Sequence, residues 1–485
     1  MKRDMQKKRR KKKMKDNQSV HKRFFYLSLF FGMIFILLMP PFQSPDEDSH
    51  FKKAYVLAEG NAFPDSENGT TGYYLPTEMV EYISDVVKAN SDLDCKFTYR
   101  EIMEAERGVT DYSKQTFEHF STVSSNPLAH VVPAVGIIFG KIIGKIAGIS
   151  PSFICLLYFA RFANLMGYIL IVAIAIYLSP VLKKTMSMFA LIPMALMMGS
   201  MVSYDMLLIA GSFLYVSLCL RLMYKPEAKW NWKYAVTFGA IAFLFIAVKI
   251  IYLPLYLWLF LILLEDKDKK ELVKRIGFVV LVFIILYALT SVIPVKMSQV
   301  FASGESGSGL SPSQQQLQYV IGHPFNYLKT FFHTLNIGRN FYVSSTLSLF
   351  GLLDTYMLVV FVYVYAALLI LTGISEVSIE DITMKWYYKV AIVLSVMASF
   401  FGAFLAMYIV WTPLVSGVGA ATIEGVQGRY FLPVLFPLVL IFSNHWIVKK
   451  KYTKLVAEKL VEYSELVCVI MLTLSMITIL LRFWV

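Results

Sequence analysis

Long unbroken apolar runs, separated by short polar stretches, set the pattern of this chain. They lie near residues 24–40, 128–147, 151–179, 186–201, 204–222, 234–248, 250–264, 275–293, 354–372, 387–411, 430–447 and 466–484. Each approaches the roughly 17–25 residues that carry a helix across about 30 Å of hydrocarbon. Helical and strand periods say little inside such runs, because lipid-facing positions are as apolar as buried ones. The pattern predicts an all-α, polytopic transmembrane helical bundle of about 11–12 spans.

Composition agrees. With 485 residues, 57% of them hydrophobic and only 16% charged, an ordinary soluble protein is excluded. The net charge of +13 would point to nucleic acid if it were spread along the chain. Instead residues 1–23 hold 12 Lys/Arg and two Asp, so ten of the thirteen net charges precede the first span. Residues 1–23 therefore read as a basic cytosolic tail, and 24–485 as the transmembrane domain. The tail is held inside by the positive-inside bias, it can touch anionic membrane lipid, and no nucleic-acid partner is implied. No small-residue cleavage site follows the first apolar run, which reads as an uncleaved anchor. The four cysteines show no CxxC spacing, so neither a disulfide framework nor a zinc site is implied.

With the N-terminus inside, residues 41–126 form a large external loop, and its 16 acids against seven Lys/Arg fit the exterior. Its length predicts a small folded cap of helices, with a turn at "ENGTTG" (67–72). A second external loop is expected at 294–353, its Gly/Ser/Gln stretch 303–316 acting as a cover over a cavity. Lys183-Lys184 and the Lys-rich stretches at 225–233, 265–275 and 448–459 read as cytosolic. Counting back from them places Ser203-Tyr204-Asp205 outside, so that either one of the three preceding apolar windows does not cross or Lys183-Lys184 is an exception to the bias. The window 127–147, with Pro127, Pro133, Lys141 and Lys145, is the one expected to lie at, or re-enter from, the outer face.

Ionisable residues at membrane depth are costly and thus mark function. Arg161 stands inside "LLYFARFANLMGY", Asp205 opens "SYDMLLIAG", and Lys249 falls in "AVKIIYLPLY". Arg161 admits a structural ion pair or a substrate contact, and Lys249 admits simple snorkelling. The sharpest group is "PFQSPDEDSHFKKAY" (41–55), where Asp46, Glu47, Asp48 and His50 follow the first span. A carboxylate desolvated at a membrane edge suits a general base. The same letters also read as a helix start, with Ser44 as cap and Pro45 at the first position.

"PPFQSPDEDSHFKKAY", "RFANLMGY" (161–168), "SYDM" (203–206), "FGLLDT" (350–355) and "EGVQGRYFLPVLFPL" (424–438) together resemble, in order, a large bacterial family of membrane proteins labelled only as a domain of unknown function. That family is grouped with the GT-C glycosyltransferases, which use polyprenyl-phosphate-linked sugars on the outer face of the membrane. The resemblance implies a GT-C type fold and transfer of a sugar from a polyprenyl-phosphate donor to an extracytoplasmic acceptor, whether cell-wall polymer, lipid or surface polysaccharide. It implies Asp46 and Glu47 as the acids after the first span, serving as base or metal ligand, and Asp205 as the second acid. Family members often carry proline where Asp48 stands, which sets Asp48 aside from the chemistry. Arg429 and Arg161 are the guanidiniums available to the leaving phosphate, and Gln427 and Tyr430 flank the former. Gly425 and Gly428 would let backbone approach the ligand or loosen the loop, and His50 would contact phosphate or metal. A divalent cation, Mg or Mn, would use Asp46 and Asp205 if one binds. Two other classes fit the same composition: a lipid-linked sugar flippase or transporter, and a polysaccharide polymerase.

Overall fold

A computed structural model describes residues 2–89, 94–107, 110–265, 310–444 and 451–485, with positions 277, 280 and 284 between them. Among the described residues seven helices are long and apolar enough to cross a membrane, and three shorter apolar ones lie at Trp232–Val248, Ile250–Leu264 and Gly428–Phe442. The expected all-α bundle is the observed fold. The expected window 275–293, the larger part of the Gly/Ser/Gln stretch, most of the Lys-rich run 265–275 and positions 448–450 lie outside the described residues.

The first helix, α1 (Lys2–Leu38), runs from one end of the bundle to the other. Where it enters the packed bundle Arg23 pairs with Glu465 at 2.7 Å. The same end holds the start of α7 (Lys183–Ala190), whose first amides are taken up by Glu376: Thr185 N–H donates to it at 2.6 Å and Lys184 N–H at 3.2 Å. A carboxylate there satisfies amides that have no partner within the helix. Pro193 cannot continue α7, so the chain resumes as α8 (Pro193–Ser200), and the two half-helices together fill one passage through the core. At the opposite end, Trp484 Nε1 donates to the Leu38 carbonyl at 2.8 Å and stacks on Tyr99 with ring centroids 4.0 Å apart.

Residues 127–147 depart from the neighbouring helices. After a single 3-10 turn at Pro127–His130, capped by Asn126, helix α5 (Val131–Ala147) ends at Gly148 in the left-handed region. It packs on α6 (Phe153–Leu178) through Gly136, Gly140 and Gly144, which meet Phe159, Leu156 and Pro151, while Val132 lies against Gly167. Small residues every four positions let two helix backbones approach closely. By contrast, α1 covers α6 from Tyr177, beside His21, to Arg161, beside Met39. Helix α5 thus overlaps α6 only from its middle to its start and projects past the end of α1. Despite its length and hydropathy it does not run the full depth of the bundle.

The segment 41–126 is a small folded unit, but not of helices alone. Helices α2 (Glu47–Ala58), α3 (Thr77–Ala89) and α4 (Tyr99–Arg107) accompany a three-stranded antiparallel sheet of β1 (Asp65–Glu67), β2 (Thr70–Pro76) and β3 (Gln115–Glu118) in the order β1-β2-β3. Asn68 (φ 49°) and Gly69 (φ 78°) turn β1 into β2, the backbone a two-residue hairpin favours. Phe42, Phe51, Tyr73, Leu75, Met79 and Ile83 form its core. Lys53 is buried in it, donating to Tyr73 Oη at 2.6 Å and the Val123 carbonyl at 2.7 Å. Burial brings its ammonium down to about 8.

Candidate functional site

The two neighbouring acids at the head of α2 have opposite fates. Glu47 is fully buried and clasps Arg161 of α6 through two parallel bonds, Nε to Oε1 at 2.8 Å and Nη2 to Oε2 at 2.6 Å. The amides of Phe42 and Val202 donate to the same carboxylate at 3.2 and 3.1 Å. Arg161 spends its remaining donors on the carbonyls of Ile36, Met39 and Pro40, the open end of α1. The pair is saturated and has no exposed surface, so of its two readings the ion pair inside the bundle fits the geometry. It locks α1, α2, α6 and the turn before α9 (Asp205–Tyr224) to one another.

Asp46 points elsewhere because its backbone does. It sits at φ 59°, ψ 10° and makes no capping bond with its side chain. Helix α2 begins at Glu47, not at Pro45, and the Ser44 hydroxyl caps nothing. The expected Ser-Pro helix start is therefore corrected: two arginines, pulling Asp46 and Glu47 in different directions, fix the turn. Left-handed backbone is uncommon outside glycine and is least costly for Asp and Asn.

The Asp46 side chain, 47% exposed, meets Arg429 Nη2 in an ion pair. Arg429 is only 2% exposed, and its Nη1 also donates to the Pro45 carbonyl at 3.3 Å and lies 3.5 Å from Asp205 Oδ2. The other oxygen of Asp205 accepts from Lys249 Nζ at 3.1 Å. That ammonium stands 3.7 Å from the centre of the Tyr430 ring and 5.2 Å from that of Tyr204, inside cation–π range. Lys249 ends α10 (Trp232–Val248) here rather than at an outer turn in solvent. Two carboxylates and two cations thus alternate in one recess, with Asp46 its open member.

His50, on the first turn of α2, is buried; its Nδ1 lies 2.9 Å from His130 Nε2 and its ring stands edge-on to Tyr204. Burial takes the His50 imidazole down to about 4, so it is neutral near pH 7. For Asp46, burial raises the carboxyl, since protein surrounds it at longer range although it faces the recess. The Arg429 guanidinium and His50 outweigh this and hold it below its ordinary value.

Gly428 is set by packing, not by a ligand: a Cβ there would sit 2.2 Å from the Tyr342 carbonyl of the helix Pro324–Leu347. Its amide donates to Ser345 Oγ at 2.8 Å, anchoring the turn that presents Arg429. Gln427 Oε1 and Arg429 Nε are buried without a bonding partner among the described residues. The structure therefore brings together Asp46, Asp205, Arg429, Tyr430 and His50, and seals Glu47 and Arg161 behind them.

A divalent cation does not suit this donor set. Among the described residues no group of three or more His, Cys, Asp or Glu side chains is placed to hold one. Each recess carboxylate already faces a fixed cation, Arg429 or Lys249, which a divalent ion would have to displace and whose charge would oppose it. Sequence reasoning missed Tyr204 and His130 as members of the cluster. Tyr204 precedes Asp205 and so was within reach of the argument, whereas nothing in "PLAHVV" singles out His130.

These features define a multi-pass membrane protein with an ion-paired recess at one end of its helix bundle. The chain belongs to the family described as predicted membrane protein (DUF2142), whose model matches residues 29–438. No curated protein and no solved structure matches it.

Proposed function

We propose that this protein is a membrane glycosyltransferase of GT-C type, taking a sugar from a polyprenyl-phosphate donor and passing it to an extracytoplasmic acceptor such as a wall polymer, lipid or surface polysaccharide. The observation that carries the reading is the open Asp46 carboxylate held against the buried Arg429 guanidinium. Attack of an acceptor hydroxyl on the anomeric carbon needs a base for the hydroxyl proton and positive charge for the departing phosphate. Asp46 supplies the first, and Arg429, with its unpartnered Nε, and Lys249 supply the second.

The ion pairing fits such a cycle. A donor phosphate arriving at Arg429 competes with Asp46 for the guanidinium, which releases the carboxylate and raises its basicity while the donor is in place. Asp205 keeps Lys249 aligned between visits. Glu47 and Arg161 serve as the brace that fixes the turn carrying Asp46. No step runs through a metal ion. The recess lies at the bundle end away from Arg23 and Lys183, and the positive-inside bias of the basic tail supports reading that end as the outer one. A lipid-linked sugar flippase or transporter, or a polysaccharide polymerase, would use such a recess for binding; an open carboxylate held against a buried guanidinium favours transfer.

The test is surface-glycan composition in cells lacking the protein, complemented with wild type, Asp46→Asn or Asp205→Asn at matched expression. Transfer requires that wild type restore a missing sugar and Asp46→Asn fail to. Full restoration by Asp46→Asn removes the base from the mechanism.

A further inference from the structure

A second cavity lies at the far end of α2 from Asp46. It has a volume of about 630 Å³ and is open to the surface. Tyr55, Tyr112, Asn61, Gln115 and Lys145 line it, together with Lys141 and Glu59, which pair with each other. It is not part of the ion-paired recess: Tyr55, its nearest lining residue on α2, is nine positions from Asp46, about 14 Å at 1.5 Å per residue.

We infer that this cavity binds a segment of an anionic saccharide. Its volume is in the range of small-ligand sites, about 300–1,000 Å³. The Tyr55 and Tyr112 rings are nearly coplanar in direction, 7° apart with centroids 6.5 Å from each other, and Tyr112 Oη is fixed by a 2.6 Å bond to the Pro151 carbonyl. Tyr55 is buried with Lys141 over its ring, so the half-buried Tyr112 offers the face for the C–H side of a sugar ring, and its hydroxyl oxygen can still accept from a sugar hydroxyl. The amides of Asn61 and Gln115 provide both donors and acceptors for sugar hydroxyls.

The charge of the ligand follows from the lysines. Lys141 is engaged by Glu59 and stands 4.8 Å from the centre of the Tyr55 ring. Lys145, one helical turn further along α5, adds a cation that Glu59 does not balance. The site as a whole is thus positive, and a saccharide carrying phosphate or carboxylate complements it. A lipid chain would leave this many polar groups without partners. Identifying the saccharide with the acceptor rests on the transfer reading; the binding itself does not.

The experiment places a photoreactive benzophenone amino acid at Gln115, an exposed lining position, in the full chain within its native membranes. After irradiation, peptides bearing residue 115 are searched by mass spectrometry for sugar fragment ions, with exposed Glu104 as the control position. Sugar-bearing adducts at 115 and not at 104 are expected, reduced about fivefold by Lys145→Glu through charge reversal at the rim. The same adducts are expected in Asp46→Asn, so failure of the base and failure of this cavity are read separately. Adducts bearing lipid alone, no adduct above the control, or adducts indifferent to Lys145→Glu overturn the inference.

Discussion

Arg429 reaches Asp46 across 383 positions of sequence, joining the turn after the first helix to the Gly428–Phe431 turn in an ion pair of which one partner is buried and the other open. An arginine that is 2% exposed cannot follow a mobile partner, so Asp46 is held at one place in the recess. This asymmetry separates a site residue from a brace.

Asp46→Asn should therefore abolish function while sparing the fold. The side chain caps no helix and fills no core, and Arg429 keeps its bonds to the Pro45 carbonyl and its approach to Asp205. Loss of a general base costs about 10²–10⁴-fold in rate. Sugar transfer measured in membranes should fall by that order, with the melting temperature of the purified protein nearly unchanged. A parallel loss of both would make Asp46 structural.

Glu47→Gln and Arg161→Met should behave in the reverse way. Removing one member of a fully buried pair strands the other and costs about 3–5 kcal/mol. Each single substitution should lower yield and melting temperature, and the double substitution should cost less than the sum of the two. A double-substitution cycle on thermal unfolding in detergent measures this; additive losses would mean that the two side chains are not coupled.

The fold was largely readable because lipid demands long apolar helices and Asn68-Gly69 marks a turn by local rules, whereas the run 186–201, read as one window, is broken at Pro193. The sheet of the 41–126 unit was not readable. Strand β3 has four residues, and its register with β2 depends on partners some forty positions away, such as Tyr73 opposite Glu118. In the recess, Asp46, Asp205 and Arg429 could be picked out because charge at membrane depth is rare. Which of Asp46 and Glu47 would be open could not. That depends on one left-handed residue and on Arg161, 114 positions away. Lys249 stood between a functional charge at membrane depth and a snorkelling one, and only the fold sets it over Tyr430.

Acidification should destabilise the protein through His50. Its imidazole titrates near 6.5 when unfolded and at about 4 when folded, so between those values the unfolded chain binds the extra proton. The His50 contribution is then constant above pH 6.5 and declines as pH falls towards 4, by up to about 3 kcal/mol at 1.36 kcal/mol per unit. Asp46, held below its ordinary value, adds its loss only at lower pH still. Melting temperature against pH in detergent should show this slope in wild type and a flatter one in His50→Gln. Equal slopes would place the titration elsewhere.

The offset of α5 against α6 predicts where the chain enters and leaves the membrane. Helix α5 starts beside Gly167, near the middle of α6, and passes Pro151 at the latter's start, so its two flanks, Ser125 and Ser150, should face the same compartment. Lys183, beyond the other end of α6, should face the opposite one. In a chain whose four cysteines are replaced by serine, single cysteines at 125, 150 and 183 can be probed with a membrane-impermeant maleimide on intact cells. Labelling at 125 and 150, with 183 reacting only after permeabilisation, is expected. A full crossing by residues 127–147 would instead protect one of the first two, and would move Asp205 to the side of the membrane away from Asp46, which their shared ion pairing with Arg429 forbids. Labelling at one flank alone would thus count against both the re-entrant helix and the recess.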